Sequence, residues 1–198
     1  QIKCDITDLK KIRQIFKRIY LKEKRIDVLI NNAAVSFALQ RKNQIYSEKD
    51  WIHTINVNLT GSFYCSNEAI KYMLKRRNGS IINITSIHAE LGFPRNPAYN
   101  ASKGGLKMLG KAFAKDWSKF GIRVNNIGPG YIKTEMTSKR FRNKKNRLER
   151  QNRTLLGRWG TSEDLIGPCI FLASDASRYM TGQDLYIDGG WLINSGIS

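Results

Sequence analysis

The chain has 198 residues, 41% of them hydrophobic, which suits one globular domain with a sizeable core, and it carries an unusually high net charge of +18. It holds no apolar run near the ~18 residues that a membrane span needs. Its cysteines, Cys4, Cys65 and Cys169, are odd in number and far apart, so they read as reduced core residues of an intracellular protein rather than a disulfide framework or a metal site.

Lys3 to Asp5 reads as the end of a strand, and Thr7 or Asp8 can cap the helix that follows. Leu9, Ile12, Ile15, Phe16 and Ile19 recur at helical spacing between lysines and arginines. Asp27 to Asn31 is a short apolar run, as expected of a strand covered on both faces. Helical patterns follow at about 48–56 and 59–76, then a second buried strand at Ser80 to Thr85. Pro97 to Lys119 is a long helix with Leu106, Leu109, Phe113 and Trp117 along one stripe. Ile122 to Ile127 is a third strand, ended by Gly128-Pro129-Gly130. A basic segment at about 133–156, a helix at 162–173 and a strand near 185–188 complete the chain. Strand and helix alternate throughout, so the expected class is α/β with a parallel sheet and helices on both faces. Such sheets bind ligands beyond the carboxyl ends of their strands. Three polar clusters fall there: Asn31-Asn32, Thr85-Ser86 and Gly128-Pro129-Gly130.

Tyr99 and Lys103 lie one helical turn apart on the long helix and so share a face. A phenol titrates near pH ~10, but an ammonium about 4 Å away, worth about 4 kcal/mol at moderate dielectric, would bring it toward neutrality. There it could exchange a proton with an alcohol oxygen. Ser86 can hydrogen-bond the same oxygen, and Asn58 could position Lys103 or a water. The pair alone is weak, since Tyr20 and Lys24 have the same spacing.

Taken in order, these residues resemble the short-chain dehydrogenases/reductases. The resemblance runs through Asp5, Asn31-Asn32-Ala33-Ala34, Val57-Asn58-Leu59, Ser86, Tyr99, Lys103, Gly128-Pro129-Gly130 with Thr134, and Asp188-Gly189-Gly190. It implies a doubly wound, Rossmann-like sheet in three α/β/α layers, here as a single domain over 1–198 lacking its first βαβ portion. It also implies reversible hydride transfer between a secondary alcohol and NAD or NADP. Asn58, Ser86, Tyr99 and Lys103 would be catalytic. Asp5, Ile6, Asn32, Ala33, Ala34, Tyr99, Lys103, Pro129, Gly130, Ile132 and Thr134 would line the cofactor. Ala34 stands where the family usually has glycine, which is tolerable if its φ is negative. A cytoplasmic homotetramer is implied, built through the helices at 59–76 and 97–119 and the last strand, with Leu106, Phe113 and Trp117 at that interface or in the core. The family's Gly-rich turn would precede Gln1, so these residues alone are expected to bind dinucleotide poorly.

Within the family the nearest likeness is to sugar-acid dehydrogenases acting on gluconate or 2-deoxygluconate. It is carried by Ala89-Glu90-Leu91-Gly92, by Lys103 to Leu109, and by Gly157-Arg158-Trp159-Gly160 with the segment to Trp191. Gluconate dehydrogenases tend to have an arginine after the Asn-Asn motif, where this chain has Ser36-Phe37-Ala38. Between Lys139 and Arg153, eight basic residues face the single acid Glu149. This segment reads first as a solvated helix face, and second as a cationic lid that would attract an anionic substrate. Only Phe141 interrupts it, which argues against nucleic acid. The rival to an alcohol–ketone oxidoreductase is a catalytically incomplete fragment or a binding scaffold with a basic surface.

Overall fold

In the computed structural model, residues 1–39 and 43–194 are described. Four parallel strands lie side by side in chain order: β1 (Val28–Asn31), β2 (Gly79–Ile84), β3 (Ile122–Pro129) and β4 (Asp184–Ile187). Parallel neighbours need a crossover rather than a tight turn, and helices supply it. Helix α1 (Leu9–Glu23) precedes β1, and α2 (Glu48–Ile55) and α3 (Ser62–Met73) lead to β2. Helix α4 (Pro97–Trp117) joins β2 to β3, while α5 (Ser138–Arg142), α6 (Lys144–Arg153) and α7 (Ile166–Ala173) lie between β3 and β4.

Side chains alternate across each strand, so β2 and β3 feed two cores. On β1, Leu29 packs inward but Val28 and Ile30 are exposed, and that strand is not covered on both faces as expected. Ile81, Ile122 and Val124 pack against Ala69, Ile70 and Met73 of α3 and Phe113 and Ala114 of α4. Ile82 and Ile127 face the other way, onto Leu172 of α7. The result is the expected three-layer α/β/α arrangement. Leu106 and Phe113 are buried and Trp117 packs beside them, so the stripe along α4 is a core stripe.

Several elements differ from the sequence expectations. Lys3 to Asp5 carry no strand, because none of the four described strands pairs with them. The patterns at 48–56 and 59–76 form one unbroken helix, since no glycine or proline interrupts the chain before Gly61. Its middle, Asn56–Gly61, is a wider π-type turn that carries one extra residue. In the basic segment, read as a helix face, Asn143 caps α6 by accepting from the Asn146 amide. The helix expected at 162–173 opens with a tighter 3₁₀ turn (Ser162–Leu165), capped by Thr161 and Asp164.

One polar feature crosses the whole sheet. Asn31, Asn83, Asn126 and Asp184 are register partners on β1 to β4. Asn31 Nδ2 donates to Asn83 Oδ1 (2.8 Å), Asn83 Nδ2 to Asn126 Oδ1 (3.0 Å), and Asn126 Nδ2 to Asp184 Oδ1 (2.7 Å). Ser66 of α3 also accepts from Asn31, and the Lys107 carbonyl of α4 from Asn126. These asparagines are nearly solvent-free, so every amide needs a partner. Gly110 makes the arrangement possible, because a Cβ there would collide with the Asn126 and Asn83 side chains.

Candidate active site

The carboxyl ends of β1, β2 and β3 deliver Asn31-Asn32, Thr85-Ser86 and Gly128-Pro129-Gly130 to one edge of the sheet. Pro97 occupies the first turn of α4, where its missing N–H is not needed, and this sets Tyr99 and Lys103 on the turns facing that edge. Ser86 is extended, and its Oγ accepts from the His88 amide at 3.2 Å. Ser86, His88, Asn96, Tyr99 and Arg140 line one cavity together with Gly130.

Lys103 is 2% exposed, and its Nζ donates to the Ile84 carbonyl at 2.7 Å. It lies 5.6 Å from the centre of the Tyr99 ring. Burial pushes the Tyr99 phenol up to about 12, while hydrogen bonding to Ser86 and the charge of Arg140 pull the other way. Burial also draws Lys103 down to about 8. The expectation that Lys103 brings Tyr99 toward neutrality therefore needs correction. Taking the phenolate out of water outweighs the Ser86 hydrogen bond and the Arg140 charge, so the phenol is held above its ordinary range rather than brought down.

The buried lysine has a consequence for stability. Its folded-state pKa lies below the ordinary 10.5, so between about 8 and 10.5 the unfolded chain binds more protons. Stability is therefore expected to rise with pH across that window, by up to about 3 kcal/mol. Denaturant titrations at pH ~8 and ~10 should show the rise, and Lys103→Met should remove it. Equal slopes in the two proteins would contradict it.

Asn58 is fully buried at the wide turn. Its Oδ1 accepts from the Val35 amide at 2.8 Å, and its Nδ2 donates to the Val35 carbonyl (2.9 Å) and to Ser102 Oγ (3.0 Å). Ser102 in turn donates to the Tyr99 carbonyl. Asn58 thus clamps the segment after β1 onto the turn of α4 that bears both Tyr99 and Lys103. Asn32 and Ala33 are exposed on that segment, and Ala34 is not among the residues with positive φ. Asp5 is exposed and held by the Thr7 amide and hydroxyl, which lower its carboxyl below the usual range. Ile6 lies against Gly61. Beyond Pro129, Gly130 N–H donates to the Ile187 carbonyl, and Ile132 is buried and bridges to Gly160. The Thr134 amide donates to Thr137 Oγ1. Tyr20, the sequence mimic, stacks on Tyr72 beneath Lys75, while Lys24 ends α1 in a left-handed turn. They form no second site.

Three site residues escaped the sequence reading. His88 stacks on Phe93 (4.0 Å), meets the Tyr99 ring edge-on (5.1 Å) and is held neutral, its pKa drawn down to about 4 by burial. Asn96 and Arg140 complete the wall. Only the position of His88, two residues after Ser86, hinted at the site. Among the described residues, no group of three His, Cys, Asp or Glu could hold a metal ion, and no helix is long and apolar enough to cross a membrane.

Residues 1–192 match the family described as enoyl-(acyl carrier protein) reductase. The chain is 42% identical over 169 residues to 2-dehydro-3-deoxy-D-gluconate 5-dehydrogenase of Bacillus subtilis, covering 85% of this chain and 66% of that protein. It is 41% identical over 190 residues to a 3-oxoacyl-(acyl-carrier-protein) reductase of Thermotoga maritima, covering 96% and 75%. Among solved structures, a gluconate 5-dehydrogenase from Burkholderia cenocepacia in complex with NADP and tartrate superposes with a TM-score of 0.92 at 34% identity. That match covers 96% of this chain and 74% of the other. The chain thus spans about two thirds to three quarters of the length of these relatives.

Proposed function

The chain belongs to the short-chain dehydrogenase/reductase family, and on that premise we propose that it serves an NAD(P)-dependent oxidoreductase interconverting a secondary alcohol and a ketone on a sugar acid such as gluconate. The observation that carries this reading is the cavity bearing Tyr99 and Ser86, with the buried Lys103 behind the phenol. A neutral phenol and a serine hydroxyl can both donate to one carbonyl oxygen. In ketone reduction the neutral phenol would give its proton to that oxygen, and in alcohol oxidation the proton would return to it. Ser86 would fix the direction of that oxygen.

The residues present fit the nicotinamide ribose of a dinucleotide. Lys103 carries three N–H donors, and the Ile84 carbonyl takes one. The two left over, in a nearly dry site, suit the paired hydroxyls of a ribose. In this reading Asn32, Ala33 and Ala34 admit the cofactor closely, Asp5 and Ile6 meet its adenine end, and Pro129 to Thr134 meets the carboxamide. Bound there, the nicotinamide would supply or accept the hydride. Assembly as a tetramer belongs to the same reading.

The test is turnover. Full-length protein given NADP or NAD with D-gluconate is expected to reduce the nicotinamide, followed by its absorbance. Absence of turnover with either cofactor across sugar acids, polyols and keto acids would reject the proposal.

A further inference from the structure

A second cavity of about 330 Å³ adjoins the one at Tyr99. His88, Asn96, Tyr131 and Arg140 border both, so the two form one continuous recess. The outer part adds Arg95 and Arg150, and no acidic residue lies among its described lining residues. Helix phase explains which charges arrive there. On α5 and α6, Arg140, Arg147 and Arg150 are partly buried, while Lys139, Arg142, Lys144 and Lys145 face solvent. The basic segment is therefore two surfaces rather than one: of the inward set, Arg140 and Arg150 line the two cavities, while Arg147 lies over the Phe141 ring.

The inward guanidiniums are short of partners. Neither Arg95 nor Arg140 forms an ion pair with a described carboxylate. Arg150 stacks over Tyr131 at 5.2 Å, its Nη1 donates to the Asn146 carbonyl (3.1 Å) and lies 3.4 Å from the exposed Glu149, and its Nε is buried with no partner. Arginine presents a planar fork suited to a carboxylate, so the cavity holds unused anion-binding capacity.

The shared wall has the opposite character. Asn100 Nδ2 donates to the Phe93 carbonyl, which leaves Asn100 Oδ1 to accept from His88 Nδ1 at 2.6 Å. The neutral imidazole therefore carries its proton on Nδ1 and keeps an acceptor lone pair on Nε2. Asn96 is 2% exposed, and its Oδ1 has no partner in the protein. Acceptors of this kind call for hydroxyl donors.

We infer that the outer cavity binds the carboxylate of the substrate through Arg140, Arg150 and Arg95, while His88 and Asn96 accept from hydroxyls on the chain leading to the reacting carbon at Tyr99. The inference rests on the oxidoreductase reading for the inner end. It sets the acid group apart from the reacting carbon, so the substrate is a hydroxylated acid and not a 2-oxo acid.

Calorimetric titration separates the two kinds of recognition. The probes are D-gluconate, its uncharged counterpart D-glucitol, and hexanoate, which has the charge without the hydroxyls. Full-length protein is expected to bind gluconate at least about tenfold more tightly than either of the others. Arg140→Gln/Arg150→Gln should weaken gluconate about tenfold or more and leave glucitol unchanged, while Arg140→Lys keeps part of the affinity. The outward pair Lys144→Gln/Lys145→Gln, with the same loss of charge, should change neither. Thermal melts of each variant distinguish lost binding from lost fold. Gluconate binding that is absent, no tighter than that of glucitol, or equally weakened by the outward pair overturns the inference. Failure of the hydride-transfer reading would show in turnover of the Tyr99→Phe protein and leaves these affinities as they are.

Discussion

Tyr99→Phe is expected to lower turnover by about 10³-fold or more while cofactor affinity stays within about twofold. The substitution removes only the hydroxyl. The ring keeps its edge contact with His88 and its place over Lys103, so the cavity wall retains its shape. What disappears is the one neutral acid beside Ser86. General acid–base groups contribute roughly 10²- to 10⁴-fold, and no neighbour can replace this one. His88 has its proton committed to Asn100, and Lys103 is drawn to the Ile84 carbonyl. Steady-state turnover and dinucleotide titration on the same preparation decide the matter. Residual activity within tenfold of the parent would remove Tyr99 from the proposed role, and a large loss of cofactor affinity would recast it as a binding residue.

The second large effect concerns the sheet. Asn83→Ala is expected to destabilise the protein by about 3–5 kcal/mol. Asn83 is 1% exposed and connects Asn31 to Asn126. Removing it leaves Asn126 Oδ1 without its donor and Asn31 short of an acceptor, and opens a small void under Gly110. A buried polar group without a partner costs about 1–3 kcal/mol, and the void adds to that. Urea denaturation would register the change as a lower midpoint at an unchanged slope. A loss below about 1 kcal/mol would mean that the asparagine chain carries little of the sheet's stability.

These two predictions draw on the sequence to different degrees. Short apolar runs placed the four strands, and helical spacing the long helix α4, within a few residues, because apolar runs and glycine or proline stops are local properties. The spacing of Tyr99 and Lys103 was equally plain. What the pair does to the phenol was not, because the sequence shows the charge four residues away and hides the burial that opposes it. Asn31, Asn83 and Asn126 each sit in an otherwise apolar strand, but their alignment depends on register, which no single strand records. Likewise, the eight basic residues of 139–153 looked uniform until the packing of α5 and α6 turned some inward. Asn58 was legible as a site residue. Its partner Val35 was not, because the contact joins a loop to a distant helix with no sequence pattern linking them.

The wide turn at Asn56–Gly61 makes the long helix act as a camshaft. Each residue of an α-helix advances the phase by about 100°. The extra residue therefore resets every side chain downstream against every one upstream. The upstream lobe, α2, is keyed to α4, and the downstream lobe, α3, to α1 and β1. Insertion or deletion of one residue anywhere between the lobes would leave each half helical but put one of them out of time with its neighbours. Length, more than residue type, is what this stretch of chain has to conserve for Asn58 to meet Val35.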